Sequence, residues 1–352
     1  MLFQTGGANG GAEMAAGTCG RSLAGIVAFL FGLLTLATVS SAQTSSPPST
    51  PPPSTSSQAS DTNSQDDDSG GFVFKKEVEE VVLHAIVVDP QNHLITGLAR
   101  DNFKVYEDGK PQELTSFRKE RVPVALGILI DNSGSMLPKR TKVNEAALQL
   151  VDASQQDDRV FVINFGEVAF LDQDYTPDVG KLTAALQRVE TRGSTALYDA
   201  IIGAVDHLDT SPLPKKILLV VTDGRDNASQ ATFQELLHKL QSKNGPVVYS
   251  IALEQNQNAR RDDGYRQALR TLSEQTGGTA FFPSNLDEIK SIASAIAQDI
   301  RSQYVIGYRS SNPHTSGAYH SIQVQALAGA TRLRVTTRTG YISGSMGSSE
   351  SR

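Results

Sequence analysis

Two aspartates, Asp131 and Asp223, each close a run of aliphatic residues: VALGILID over Val124–Asp131 and KILLVVTD over Lys216–Asp223. A buried strand that ends in a carboxylate delivers it to the carboxyl-end rim of an open parallel sheet, where ligands bind. Directly after Asp131 the chain reads Asn132-Ser133-Gly134-Ser135-Met136. One carboxylate and two hydroxyls thus stand at alternate positions around a glycine turn, and their oxygens can converge. A separate loop, Arg192-Gly193-Ser194-Thr195-Ala196, precedes another helical stretch and brings a further hydroxyl to the same rim. Oxygen donors from three loops suit a hard cation, Mg2+ or Mn2+, which takes octahedral oxygen coordination and keeps several waters.

The elements that must position these groups are written in the hydropathy pattern. After Pro123, apolar runs of strand length alternate with amphipathic stretches, the signature of a parallel sheet covered on both faces. The expected fold class is α/β, a doubly wound, mostly parallel sheet. Expected strands are Val124–Asp131, Arg159–Phe165, Lys216–Asp223 and Val247–Leu253, with a short edge piece at Val168–Leu171. Expected helices are Val143–Ala153, Asp178–Val189, Leu197–Leu208, Thr232–Leu240 and Arg266–Gln275, each with apolar residues three and four apart. Leu286, Ile289, Ile292, Ala293, Ile296, Ala297 and Ile300 form one more stripe, read as a helix packed on the sheet.

Composition removes several function classes. Asp plus Glu number 38 against 32 Lys plus Arg, a formal charge of −6, so no basic field invites nucleic acid or anionic lipid. The single cysteine, Cys19, excludes a disulfide framework and a CxxC pair. With no Trp and 6% aromatics, base or sugar stacking is poorly supplied. None of the histidines forms a ligand pair, so zinc is not expected; His84 reads as a packed or edge residue of an apolar strand, and His320 as one of five others scattered over loops and helix surfaces. Neither H-E-x-x-H, G-x-S-x-G nor a Walker A loop occurs, and metal catalysis needs a positioned nucleophile and proton acceptor. No catalytic residue is expected. Asp226 and Asn227 lie within reach of the rim and read as surface loop.

The residues on the rim resemble a known family. D-x-S-x-S at Asp131, Ser133 and Ser135, the Gly-Ser-Thr-Ala-Leu-Tyr-Asp-Ala stretch at Gly193–Ala200, and Thr-Asp-Gly at Thr222–Gly224 resemble the von Willebrand factor type A domain and its metal-ion-dependent adhesion site, over roughly Pro123 to Arg301. The resemblance implies Ser133, Ser135 and Thr195 as hydroxyl ligands, with Asp131 and Asp223 acting directly or through water. It implies Mg2+ as the ion, with Mn2+ or Ca2+ as alternatives, and a partner protein that offers Glu or Asp to the metal. The segment HAIVVDPQNHLITGLARDNFKVYEDGKPQELTSF, followed directly by this domain, also resembles secreted bacterial von Willebrand A related proteins, notably of Acidobacteria.

The rest of the chain reads as address, tether and flanking strands. Leu23–Thr38 is almost continuously apolar, follows Arg21 and leads into small residues that suit cleavage after Ala42, so residues 1–42 are expected to be a secretory signal, with Met14 as the expected start. An uncleaved anchor is the alternative, but sixteen residues fall short of the roughly 20 needed to span hydrocarbon. Residues 43–71, rich in Ser, Thr and Pro, are expected to be a disordered linker. Residues 72–121 read as β: Glu80–Asp89, Phe103–Glu107 and, after the turn signal Asp108-Gly109, Leu114–Phe117. Residues 302–343 alternate at Tyr304, Ile306, Tyr308, then Ile322, Val324, Ala326, then Leu333 and Val335, with turns near Asn312-Pro313 and Ala328-Gly329. The expected division is therefore 1–42 signal, 43–71 linker, 72–121 β segment, 122–301 α/β domain, 302–343 β segment packed with 72–121, and 344–352 tail.

The expected function is an exported, non-enzymatic module, periplasmic, envelope-associated or secreted, that captures an acidic side chain through Mg2+. A metal-dependent hydrolase or phosphoesterase using the same rim, and a metal-independent envelope scaffold in which Ser133 and Ser135 merely cap helices, are the alternatives.

Overall fold

A strand can be aliphatic on both faces only where both faces are covered. β5 (Val124–Asp131) meets that condition, with all eight residues buried. In the computed structural model, which describes residues 80–119, 122–188, 193–253, 263–311 and 317–344, β5 lies between β6 (Arg159–Phe165) and β8 (Lys215–Thr222), parallel to both. β9 (Val247–Ala252) is parallel to β8, the short β10 (Ala280–Phe281) is parallel to β9, and β7 (Ala169–Thr176) closes the other edge antiparallel to β6. The order is β10-β9-β8-β5-β6-β7.

Period-two alternation sends Leu126, Ile128 and Ile130 to one face of β5, where α1 (Arg140–Asp152), α2 (Val179–Gln187) and α6 (Glu288–Arg301) cover them. Ala125 and Leu129 face α3 (Leu197–Asp209), α4 (Phe233–Leu240) and α5 (Asp263–Thr276). Gly127 points to this second face, and a Cβ there would stand 2.4 Å from the Phe161 ring. The glycine therefore lets β6 keep a large aromatic beneath the central strand.

The flanking segments form a second sheet, antiparallel at every pairing. β1 (Glu80–Val88), β2 (Phe103–Glu107), β3 (Lys110–Gln112), β4 (Leu114–Arg118), β11 (Tyr304–Arg309), β12 (Tyr319–Ala328) and β13 (Thr331–Thr336) run in the order β3-β2-β12-β13-β1-β11-β4, and β14 (Gly340–Ile342) pairs with β12. β1 serves two neighbours, pairing with β11 through residues 80–85 and with β13 through 86–88. Asp108 and Gly109 turn β2 into β3 with φ of 48° and 76°, the two left-handed positions that an Asp-Gly hairpin supplies. The core is Val81, Leu83, Ala85 and Val87 against Tyr304, Ile306 and Tyr308. Both sheets belong to one compact unit, Val73–Arg352.

This second sheet corrects the expectation of one doubly wound, mostly parallel sheet with β-rich flanks. It has eight strands to the other's six, so the architecture is an α/β sheet beside a larger antiparallel one. The flanks carry hairpin signals and no helical stretch long enough for a parallel crossover, so antiparallel pairing is what remains open to them. β3, β10 and β14, at three residues or fewer, are too short to show a period. β7 runs on to Thr176 rather than stopping at Leu171, because its half-exposed stretch Asp172-Gln173-Asp174 shows no aliphatic signal.

The signal at 1–42, the linker at 43–71, the turn at Asn312-Pro313 and the tail beyond 344 lie outside the described residues. Among the described residues no helix is long and apolar enough to cross a membrane.

One lysine sits where burial opposes its charge. Lys215 opens β8, is buried, and donates to the Ile300 carbonyl; burial first, then the nearby Arg301 guanidinium, bring its ammonium down from 10.5 to about 7. Between those two values the unfolded chain binds more protons than the folded one, so this group makes stability rise with pH across that window. Lys215→Met removes the penalty. Calorimetry is expected to show the variant melting above the parent at pH 7, with the gap narrowing toward pH 10; equal melting temperatures at pH 7 would contradict this account.

Candidate functional site

The carboxyl ends of β5 and β8 are adjacent in the sheet, which brings Asp131 and Asp223 to one rim. Asp131 is buried. Its Oδ1 accepts the Ser133 backbone N–H at 2.7 Å and its Oδ2 the Thr222 hydroxyl at 2.7 Å, so the last residue of β8 braces the last residue of β5. Burial pushes the Asp131 carboxyl up; the Thr222 and Ser133 hydrogen bonds oppose that shift, and the Asp223 charge adds to it. Beyond Asp131 the chain closes on β6 through Asn132 N–H to the Phe165 carbonyl, then enters a 3-10 turn over Gly134–Lys139.

Within that turn Ser135 Oγ donates to Asp223 Oδ1 at 2.8 Å and stands 3.2 Å from Ser133 Oγ. The end of the turn returns Lys139 to the rim. Its ammonium pairs with Asp223 Oδ2 and donates to the Leu253 carbonyl at 3.3 Å. Sequence reasoning missed Lys139. Its spacing from Ser135 carried no signal, since residues three apart, not four, share a side of a 3-10 turn.

Thr195 arrives from the loop before α3. Its N–H donates to Asn227 Oδ1 at 2.8 Å, and Asn227 N–H returns to the Thr195 carbonyl at 3.0 Å. Ala196 N–H donates to Gly166 in the β6–β7 turn at 2.7 Å. A Cβ on Gly224 would meet Thr195 Oγ1 at 3.4 Å and Asp131 Oδ2 at 3.9 Å, so the threonine hydroxyl and the aspartate flank one point. Asp226 Oδ2 accepts Tyr198 N–H at 2.9 Å and Ser229 Oγ accepts Asp199 N–H at 3.0 Å, satisfying amides that the first turn of α3 leaves without intrahelical partners. Asp226 and Asn227 are thus not plain surface loop: they fasten the Thr195 segment to the loop that carries Asp223.

Asp131, Ser133, Ser135 and Asp223 are therefore joined by direct hydrogen bonds or close contacts, with Thr195 beside them. The donor set fits a small divalent cation. Cis ligands about 2.1 Å from an octahedral ion are roughly 3.0 Å apart, and the two serine oxygens are 3.2 Å apart. Ser135 sends its proton to Asp223, which leaves its oxygen lone pairs for a metal. Around the rim, Leu137, Val168 and Phe170 are exposed, each by more than half. β7 begins opposite Phe165, the residue in register with Asp131, so this apolar surface adjoins the oxygen cluster.

A second set of metal-capable groups lies in the antiparallel sheet. Glu107, Asp108 and His320 bring their ligand atoms within 4.8 Å of one another, and His320 Nδ1 is 2.9 Å from Asp108 Oδ2. The sequence had left His320 among scattered histidines; the pairing of β12 with β2 supplies the neighbours. Glu107 is wholly buried and accepts hydroxyl hydrogens from Tyr308 at 2.6 Å, Tyr341 at 3.3 Å and Ser310, so it serves as the hub of a polar network inside that sheet.

A sequence model of the von Willebrand factor type A domain matches residues 126–225. Hemicentin-1 of Mus musculus is 28% identical over 152 residues, and that of Homo sapiens 27% identical over 153; each alignment covers 41% of this chain and 3% of the relative's length. Among solved structures, the vWF domain of the type V pili tip protein Mfa5 from Porphyromonas gingivalis aligns with TM-score 0.44 and 11% identity over 51% of this chain and 96% of that one. A von Willebrand factor type A protein from Catenulispora acidiphila aligns with TM-score 0.46 and 13% identity over 78% and 76%. The matched segment runs from β5 to just past Asp223 and so spans Asp131, Ser133, Ser135, Lys139, Thr195 and Asp223, with Asp226 and Asn227 directly after it. The chain carries a von Willebrand factor type A domain.

Proposed function

We propose that the chain is an exported, non-enzymatic protein-binding module that captures an acidic side chain of a partner through Mg2+ held by Asp131, Ser133, Ser135, Thr195 and Asp223. The observation that carries this reading is the spacing of Ser133 and Ser135 at 3.2 Å with the Ser135 proton committed to Asp223. Bound there, the ion supplies an open coordination position with uncompensated charge, because three of its five protein groups are neutral hydroxyls. Lys139 adds to that imbalance by offsetting one of the two carboxylates. A Glu or Asp of another protein answers such a site, and the exposed Leu137, Val168 and Phe170 offer that protein an apolar footing.

The reading favours capture over turnover, since each oxygen of Asp131 and Asp223 already accepts a hydrogen bond and none stands poised as a general base. Export through residues 1–42, a tether at 43–71, and insertion of the type A domain at 122–301 between β segments 72–121 and 302–343 belong to the same proposal. Calorimetry with MgCl2 on EDTA-stripped protein is expected to give one site per chain, weakened tenfold or more by Ser133→Ala. A cross-linked pull-down from envelope extract should recover a partner with Mg2+ and lose it in EDTA. Absence of Mg2+ or Mn2+ uptake, or uptake unchanged in Ser133→Ala, would overturn the proposal.

A further inference from the structure

Beside the metal rim, on the face of the sheet that α3, α4 and α5 cover, a pocket of about 210 Å3 opens between the first turn of α3 and the first half of α5. Its floor is the core itself: Leu197, Leu269 and Leu272, none more than 2% exposed, reach it from the two helices. Tyr198 from α3 and Tyr265 from α5, both partly buried, line it above that floor. Among the described residues, the charged side chains lining it are Arg225 and Asp226, one of each sign, so the lining has no net charge with which to select an ion.

The pocket is continuous with the groups proposed to hold the ion. Leu197 stands two residues after Thr195 and Arg225 two after Asp223, and two residues of chain span at most about 7 Å. Its lining is also bonded to the segments that position the donors. Tyr265 donates its hydroxyl to the Thr222 carbonyl at 3.3 Å, Thr222 in turn braces Asp131, and Asp226 accepts the Tyr198 N–H at 2.9 Å. In an extended partner segment, residues two apart point to the same side and lie about 7 Å from one another, so a segment whose carboxylate meets the ion can place a second side chain at the pocket. The volume is below the roughly 300–1,000 Å3 of sites for drug-sized molecules and suits one side chain. An apolar floor beneath two tyrosine rings favours an aromatic one, which gains ring contacts beyond the area it buries, and aromatic anchors seated in pockets dominate many protein interfaces.

We propose that this pocket takes an aromatic side chain of the partner, two residues away from the acidic one that meets the metal. The recognised segment is then an extended stretch in which Asp or Glu and an aromatic residue are separated by one residue, in either order. The acidic half of that segment rests on the metal capture proposed above, the aromatic half on the pocket.

Calorimetry of the full chain in MgCl2 with two capped peptides, Gly-Asp-Gly-Phe-Gly and Gly-Phe-Gly-Asp-Gly, each set against the same peptide with alanine in place of phenylalanine, tests this. The expected result is that at least one phenylalanine peptide binds tenfold or more tighter than its alanine counterpart, and that Ala268→Phe, which fills the pocket from α5, removes the gain. NMR of the Tyr198 and Tyr265 rings on the unmodified chain in EDTA, with N-acetylphenylalanine amide as probe, reads the pocket without a variant and without metal; both sets of resonances should move. Rings that stay in place with that probe, or Mg2+-dependent binding equal for the phenylalanine and alanine peptides, would overturn the assignment. No Mg2+ uptake, with the rings still responding to the probe, would overturn metal capture and support the pocket.

Discussion

Asp223→Ala, studied in EDTA so that no metal contributes, is expected to lose about 3–5 kcal/mol of folding stability. The Asp223 side chain is fully buried and that of Lys139 is 11% exposed. Removing the carboxylate leaves an ammonium with the Leu253 carbonyl as its remaining hydrogen-bond partner. The cost is that of an uncompensated buried charge rather than of the bond itself, which the double variant separates: Asp223→Ala with Lys139→Met has no orphan charge and should recover most of the loss. Urea denaturation of the four proteins of this cycle measures it. Additive losses would mean that the two side chains do not share a buried pair. Lys139→Met alone should bind Mg2+ more tightly than the parent, because the ammonium no longer offsets one of the donor carboxylates.

A second large loss is expected where the α/β sheet is entered and left. The Asp158 side chain, 2% exposed, accepts Val124 N–H at 2.9 Å at the start of β5, accepts Gln155 N–H at 2.7 Å, and pairs with Arg301 at the end of α6. One carboxylate therefore holds the incoming and outgoing chain together beside the antiparallel sheet. Asp158→Ala should cost about 3–5 kcal/mol, since it strands a half-buried guanidinium and two backbone donors. Asp158→Asn keeps an acceptor and should cost less. Denaturant midpoints rank the two, and equal losses would show that the charge on Arg301 is not what Asp158 supports.

What was legible in the sequence follows from how local the signal was. The buried strands β5, β6, β8 and β9 were readable because aliphatic runs bounded by polar residues need no partner to be recognised. Asp131, Ser133, Ser135, Thr195 and Asp223 were readable because strand ends and glycine turns carry them, and the structure does gather them. Lys139 was not, because a lysine near a helix start looks solvated until its turn is seen to fold back. Asp226 and Asn227 read as surface loop because their partners, the Tyr198 amide in the first turn of α3 and the Thr195 amide in the loop before it, lie about thirty residues earlier.

The antiparallel sheet draws its strands from both sides of the α/β sheet in sequence, and one of its ties, Leu98 N–H to the Tyr304 hydroxyl, spans 206 residues. During synthesis, β1 and β2 emerge long before β11 and β12 can pair with them. Their unsatisfied edges and the apolar face of Val81, Leu83 and Ala85 must wait until the type A domain has been completed. Late zippering of this kind slows folding and exposes strand edges to aggregation, so a holding chaperone has its longest window of action on the first strand of the molecule.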